Sequence, residues 1–260
     1  MKNKIEKTSF WRVMAYCIIY SFIGFLIETL FALASYGVFE SRQSFLYGPF
    51  CAIYGVGAAC MIVSLKYFKK SDALLFIGGA IVGGIVEYLV SYFGELILNV
   101  RWWDYSNRFL NINGRICLLY SLFWGGLGLI LIKVINPKID RLIDFIKSKV
   151  NIKFLKSFTA FMTLFFIVNC IISGRAIFLY LVRQSVENNL DIENKEYAQR
   201  IYEKEYSNEK NRELINKFWG DEKMVITYPN LTITLKDKST ILVRDLLPGV
   251  RYYYYKFDRN

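Results

Sequence analysis

The chain has 260 residues, 54% of them apolar and 17% aromatic, with a mean hydropathy of +0.28 and a net charge of +11. Long charge-poor runs at such a composition mark an integral membrane protein, and because the basic residues flank those runs the excess charge argues against a nucleic-acid partner. Histidine is absent, which removes the usual neutral-pH base, the commonest zinc ligand and every Ser-His or Cys-His nucleophile.

Lys2, Lys4, Lys7 and Arg12 precede a first apolar run, 13–36, long enough to span a bilayer. A cleaved leader is the rival reading, since Ala32-Leu33-Ala34 fits a cleavage pattern, but the run is longer than a leader's ~7–15 residues and contains Glu28. A second run, 48–67, opens with GPFCAIYGVG, and Lys66, Lys69 and Lys70 close it in a basic turn. A third, 73–98, carries Gly78, Gly79, Gly83 and Gly84 before Glu87 and Glu95; small residues so spaced let membrane helices approach closely. A fourth, 116–135, ends at Pro137.

Lys138 to Lys156 alternates apolar and basic residues, with Ile139, Leu142, Ile143 and Ile146 at helical spacing. The pattern predicts an amphipathic helix on the membrane face. A fifth run covers 157–182, and Arg175 within it either snorkels to an interface or ends the span. From about Arg183 the composition changes to 14 basic and 13 acidic residues, which predicts a soluble tail module, 183–260. There an exposed helix is expected over Asp191–Phe218, then four short strands, MVITY, LTITL, TILV and RYYYYKF. The predicted fold is therefore an all-α polytopic membrane protein of about five spans in a 1–182 membrane domain, with a small helix and strand tail.

With the N-terminus inside, the short inner segments hold fourteen lysines and arginines against four outside. The bias predicts a cytoplasmic N-terminus and, with five spans, an extracytoplasmic tail. Gly48, Cys51 and Tyr54 recur at a constant offset as Gly114, Cys117 and Tyr120, and the preceding runs each hold a G-x3-E, Gly24 to Glu28 and Gly83 to Glu87. The pattern suggests a duplicated two-helix hairpin, its copies parallel about an axis along the membrane normal. The five cysteines show no CxxC spacing, so they read as reduced packing residues; no metal or cofactor is expected.

An ionisable group at membrane depth is costly unless paired or wet, so Glu28 and Glu87 are candidates to face a central cavity or to tie helices together. Glu95 reads as interfacial. The stretch RWWDYS to GRICL sets Arg101, Trp102, Trp103, Asp104, Tyr105, Arg108 and Arg115 between two apolar runs. The aromatics suit an interfacial belt; the added charges build either a constrained loop through Asp–Arg pairing or a surface that recognises a polar head group or solute. The candidate substrate-binding set is thus Glu28, Glu87, Arg101, Trp102, Trp103, Asp104, Tyr105 and Arg115.

In YGPFCAIYGVG (Tyr47 to Gly57), RWWDYS (Arg101 to Ser106), NINGRICLLYSLFWG (Asn111 to Gly125), Pro137 and TYPNLTI (Thr227 to Ile233), the sequence resembles the bacterial ABC-transporter permease family of the CmpB type. The resemblance covers most of Trp11 to Ile233. One departure is Ala52, where the family has proline after the cysteine. The resemblance implies a permease of the bacterial inner membrane, with no solute specified. The chain has no G-x4-G-K-[ST] phosphate loop, so it is not the ATPase. A separate ATPase subunit, docking through Lys138, Arg141, Lys147 and Lys149, or else an ion gradient, would supply the energy, and the small bundle would be partnered or homo-oligomeric. The same basic face also suits anionic lipid. The alternative function is a non-transporting scaffold or sensor that binds lipid and a protein partner. A lipid-acting enzyme would need acid-base work from Glu28, Glu87 or Asp104, and nothing in the sequence specifies it.

Overall fold

The computed structural model describes residues 8–98 and 103–257. It is largely helical, in two compact units. Among the described residues four helices are long and apolar enough to cross a membrane: α1 (Phe10–Tyr36), α3 (Asp72–Leu98), the continuous stretch Leu118–Lys149, and α6 (Ile152–Glu187). The second apolar run forms a shorter helix, α2 (Ala52–Leu65), extended by one tighter turn to Phe68. It begins four residues later than the hydropathy does because Gly48 takes φ +83° and Pro49 follows it, which turns the chain before the helix starts.

The first unit takes the chain up to Gly24, Phe50–Val90 and Asp104–Val168. Its core gathers Tyr16 and Tyr20 of α1, Met61, Ile62 and Leu65 of α2, Leu75 of α3, and Leu131, Ile132 and Ile143. Small residues set the helix spacing. A Cβ at Gly79 would lie 3.0 and 3.2 Å from the carbonyl oxygens of Trp124 and Gly125, so α3 and α4 (Leu118–Ile130) meet backbone to backbone. A Cβ at Gly55 would overlap the Cys17 carbonyl and the Ser21 hydroxyl, which brings α1 and α2 together in the same way.

Pro137 does not end the fourth helix. Residues Leu131–Ile135 widen into a π turn in which the Asn136 N–H donates to the Leu131 carbonyl. With the ladder already shifted by one residue, the proline enters at the first turn of α5 (Asn136–Lys149), where its missing N–H costs little. The amphipathic segment is shorter than its pattern: Val150 is extended and breaks it, and residues from Ile152 belong to α6. Asp140 fastens α5 to α1. It pairs with Arg12 at 3.0 Å, accepts from the Tyr16 hydroxyl and from Asn136 Nδ2 at 3.1 Å, while Tyr20 donates to Asn136 Oδ1 at 3.1 Å.

The second unit takes Phe25–Pro49, Ser91–Trp103 and the chain from Asn169 on. The 36 residues of α6 measure about 54 Å, well beyond a hydrocarbon core of about 30 Å, and its last turns are buried under the tail. Ala176, Ile177, Tyr180 and Leu181 pack on Met224, Tyr228, Leu231, Ile233 and Val243. Arg175 therefore lies inside a continuing helix, where it pairs with Glu205 at 2.6 Å. Arg183 is 4% exposed and meets Asp221 at 2.5 Å and Asn216 Oδ1 at 3.0 Å.

The tail differs from its pattern in two places. The single helix expected over Asp191–Phe218 is two, α7 (Lys195–Tyr206) and α8 (Glu209–Trp219), parted where the Asn208 side chain caps the N–H of Asn211. MVITY is not a strand but the body of α9 (Asp221–Thr227): two acidic residues favour its first turn, and Met224 and Val225 are buried. The remaining stretches make two antiparallel pairs instead of one sheet. β2 (Thr232–Thr234) pairs with β3 (Thr240–Leu242), and β4 (Tyr255–Lys256) pairs with β1 (Val38–Phe39), a segment that follows α1.

Candidate functional site

Glu87, in the middle of α3, is an ionisable group buried in the first unit, 5% exposed. Its two oxygens take different donors. Oε1 accepts from the Tyr105 hydroxyl at 3.0 Å, and Oε2 accepts from Trp124 Nε1 at 3.1 Å. Trp124 reaches it because Gly83 lies one turn earlier on the same face: any side chain at 83 would occupy the volume of the indole. The G-x3-E pattern thus has a physical meaning, a bare position for the ring followed by an acceptor for its N–H. The earlier copy behaves alike at its glycine, where Gly24 makes room for Tyr54.

Tyr105 is delivered by a structured loop, 103–117. Its phenol is held above its ordinary range first by burial and then by the Glu87 carboxylate, and its ring stacks on Tyr120 at 4.6 Å. The loop is built from its own side chains. Asp104 Oδ1 accepts from Ser106 N at 2.9 Å and Ser106 Oγ at 2.6 Å, a turn that asparagine and aspartate make locally. Asn111 Nδ2 donates to the carbonyls of Ser106 and Arg108, and its Oδ1 accepts from Gly114 N. Asn113 and Gly114 both have positive φ, 54° and 68°, and Arg115 N donates to Ile112 O at 3.0 Å, the Asn-Gly turn of a tight hairpin. Asn113 Nδ2 then donates to the Tyr88 hydroxyl at 2.9 Å, and the Arg115 guanidinium sits 5.8 Å from the Tyr88 ring centre.

Of the residues expected from sequence, the structure brings Glu87 and Tyr105 into direct contact and puts Arg115 over the ring of Tyr88. Asp104 serves the turn, and Trp103 is half-buried. Glu28 is half-buried and belongs to the second unit. Arg101 and Trp102 lie outside the described residues. Lys138, Arg141, Lys147 and Lys149 are exposed along α5, whose opposite side holds Ile143 in the core.

Sequence reasoning missed Trp124, Tyr120 and Asn113. Trp124 and Tyr120 are four apart and share a face of α4, but periodicity does not say which neighbour that face meets. It also missed Glu40, buried in the second unit between Arg42 at 2.7 Å and Arg244 at 4.0 Å. Asn230 of TYPNLTI donates to Glu40 Oε1 at 3.3 Å. The signal was present in Glu40-x-Arg42, two opposite charges beside an apolar run. Among the described residues no three His, Cys, Asp or Glu side chains gather in a way that holds a metal.

No curated protein matches the chain, and no solved structure does. One family model matches residues 15–174, a range that contains Glu87, the 103–117 loop, Trp124 and all of α5 and leaves TYPNLTI outside. With a buried carboxylate and its loop inside the matched segment, which reaches all four membrane-length helices, the chain belongs to the family described as "Putative ABC-transporter type IV".

Proposed function

We propose that the chain is the membrane-embedded permease subunit of a bacterial inner-membrane transporter, and that a separate ATPase subunit docks on α5 from the cytoplasm to drive it. The observation that carries the reading is the outward side of α5. Lys138, Arg141 and Lys149 there alternate with Leu142 and Phe145, exposed by 48% and 60%, while Asp140 and Ile143 tie the other side to α1 and the core. A helix fixed on one side and offering mixed apolar and basic contacts on the other suits an acidic protein partner. Motion imposed on it passes to α1 through Asp140, Arg12 and Tyr16.

On this reading the solute meets the Glu87 region, with Arg115 and the aromatic residues of the loop at its mouth. Because the loop closes directly on Glu87, release of the Tyr105 hydrogen bond would accompany access to the carboxylate.

The test is gentle purification from native membranes followed by mass spectrometry of bound proteins. A nucleotide-binding ATPase that co-purifies, and is lost when Lys138, Arg141, Lys147 and Lys149 are changed to Gln, supports the reading. Recovery of the chain without any ATPase, with activity intact in the neutralised variant, overturns it in favour of a scaffold or sensor.

A further inference from the structure

A groove of about 470 Å³ runs along the outer side of α3 in the first unit. Its floor is Gly84, Ile81, Ile85 and Leu89, and Ile112 and Ile116 of the hairpin wall its upper end. Ile81, Ile85 and Ile112 are each more than half exposed, and from Ala80 to Leu89 the helix rises by about 14 Å. The groove lies on a membrane-crossing helix, so its solvent is the bilayer.

Two further observations select an occupant. Gly84 is not explained by packing inside the chain: a Cβ there would meet only Ser121 Oγ, at an ordinary 3.7 Å, whereas Gly79 and Gly83 on the same helix are pressed against α4. The bare position leaves open the middle of the groove. At the hairpin end the lining turns from apolar to polar and cationic: Tyr88 belongs to the groove, its hydroxyl is bonded to Asn113, and the Arg115 guanidinium stands over its ring. An apolar channel leading to a guanidinium and an amide has the polarity sequence of a lipid.

We infer that this groove is a site for an anionic membrane phospholipid, with one acyl chain lying over Gly84 between Ile81, Ile85 and Ile116 and the phosphate meeting Arg115. Arginine suits that head because its planar donors match phosphate oxygens in pairs. The site stands apart from α5 and shares Arg115 with the mouth proposed for the solute. Since the same hairpin carries Tyr105 to Glu87, an occupied groove would steady the loop that covers the carboxylate.

Native mass spectrometry of the full chain in detergent, titrated with phosphatidylglycerol or phosphatidylcholine of matched chains, tests the inference. Wild type is expected to hold phosphatidylglycerol with about a tenfold preference, the scale of one charge-assisted hydrogen bond. Arg115→Gln is expected to bring the preference close to one. Gly84→Leu, which fills the groove with space to spare, is expected to lose both lipids and to keep its lipid-free thermal midpoint. Equal binding of the two lipids by wild type overturns the inference, and so does retention of phosphatidylglycerol by a folded Gly84→Leu. Ala80 and Gly84 are spaced as helix-pairing residues are, so a lipid-free dimer abolished by Gly84→Leu would assign the groove to a second copy and equally overturn it. None of these results depends on whether an ATPase binds α5.

Discussion

At the scale of single residues the account turns on Glu87. A buried acceptor satisfied by two donors is stable only while all three are present, because a donor left unpaired in an apolar setting costs about 1–3 kcal/mol. Glu87→Ala strands both the Tyr105 hydroxyl and Trp124 Nε1 and should lower stability by about 2–4 kcal/mol, the sum of one costly and one partly relieved donor. Glu87→Gln keeps a carbonyl for one of them and should lose about half as much. Thermal unfolding in detergent checks the order; equal losses would mean that the donors do not depend on the carboxylate. The sequence made Glu87 conspicuous, since an acid inside an apolar run asks for a partner, but it did not name that partner. The partners are neutral donors, a phenol and an indole N–H. One oxygen of Asp104 serves the Ser106 turn.

At the scale of elements the spanning helices were legible because hydropathy alone sets them. The expected runs 13–36 and 73–98 lie within α1 and α3, two helices of 27 residues each. What hydropathy misses is where a helix continues by changing its winding. Pro137 reads as a stop, yet the π turn before it carries the chain into α5. In the tail, MVITY alternates as a strand does, but its burial against α6 and an acidic first turn make it helical. The glycines of α3 signalled close packing without naming the neighbour. Gly79→Val would press a branched side chain against the α4 backbone, with contacts that begin at 3.0 Å, and overpacking of this kind costs about 1–3 kcal/mol. Gly126→Ala, which meets nothing within 4 Å, should change stability by less than about 0.5 kcal/mol. Guanidinium unfolding of the two variants in mixed micelles compares them; a silent Gly79→Val would show that α3 and α4 are not in backbone contact.

At the scale of the whole molecule the repeat read from Gly48, Cys51 and Gly114, Cys117 has a local counterpart. Both glycines take positive φ, and both cysteines are buried, extended residues that cap the helix they precede. Each copy offers a long helix, a turn and a short helix, and each G-x3-E glycine receives an aromatic ring from the short helix that follows. The tail was less legible, since its core forms on the last turns of α6, a surface that an apolar run does not advertise. The lysine and arginine bias meanwhile makes a whole-molecule claim on which the proposed function rests: α5 faces the cytoplasm and the tail faces the other side. Cysteine labelling with a membrane-impermeant maleimide tests it most directly, with Ser148→Cys on α5 and Lys238→Cys in the β2–β3 turn, both exposed, compared with wild type in spheroplasts and in inside-out vesicles. The account predicts that position 238 labels in spheroplasts and position 148 only in inside-out vesicles. Labelling of position 148 in sealed spheroplasts would contradict it, because a cytoplasmic ATPase could then never reach α5.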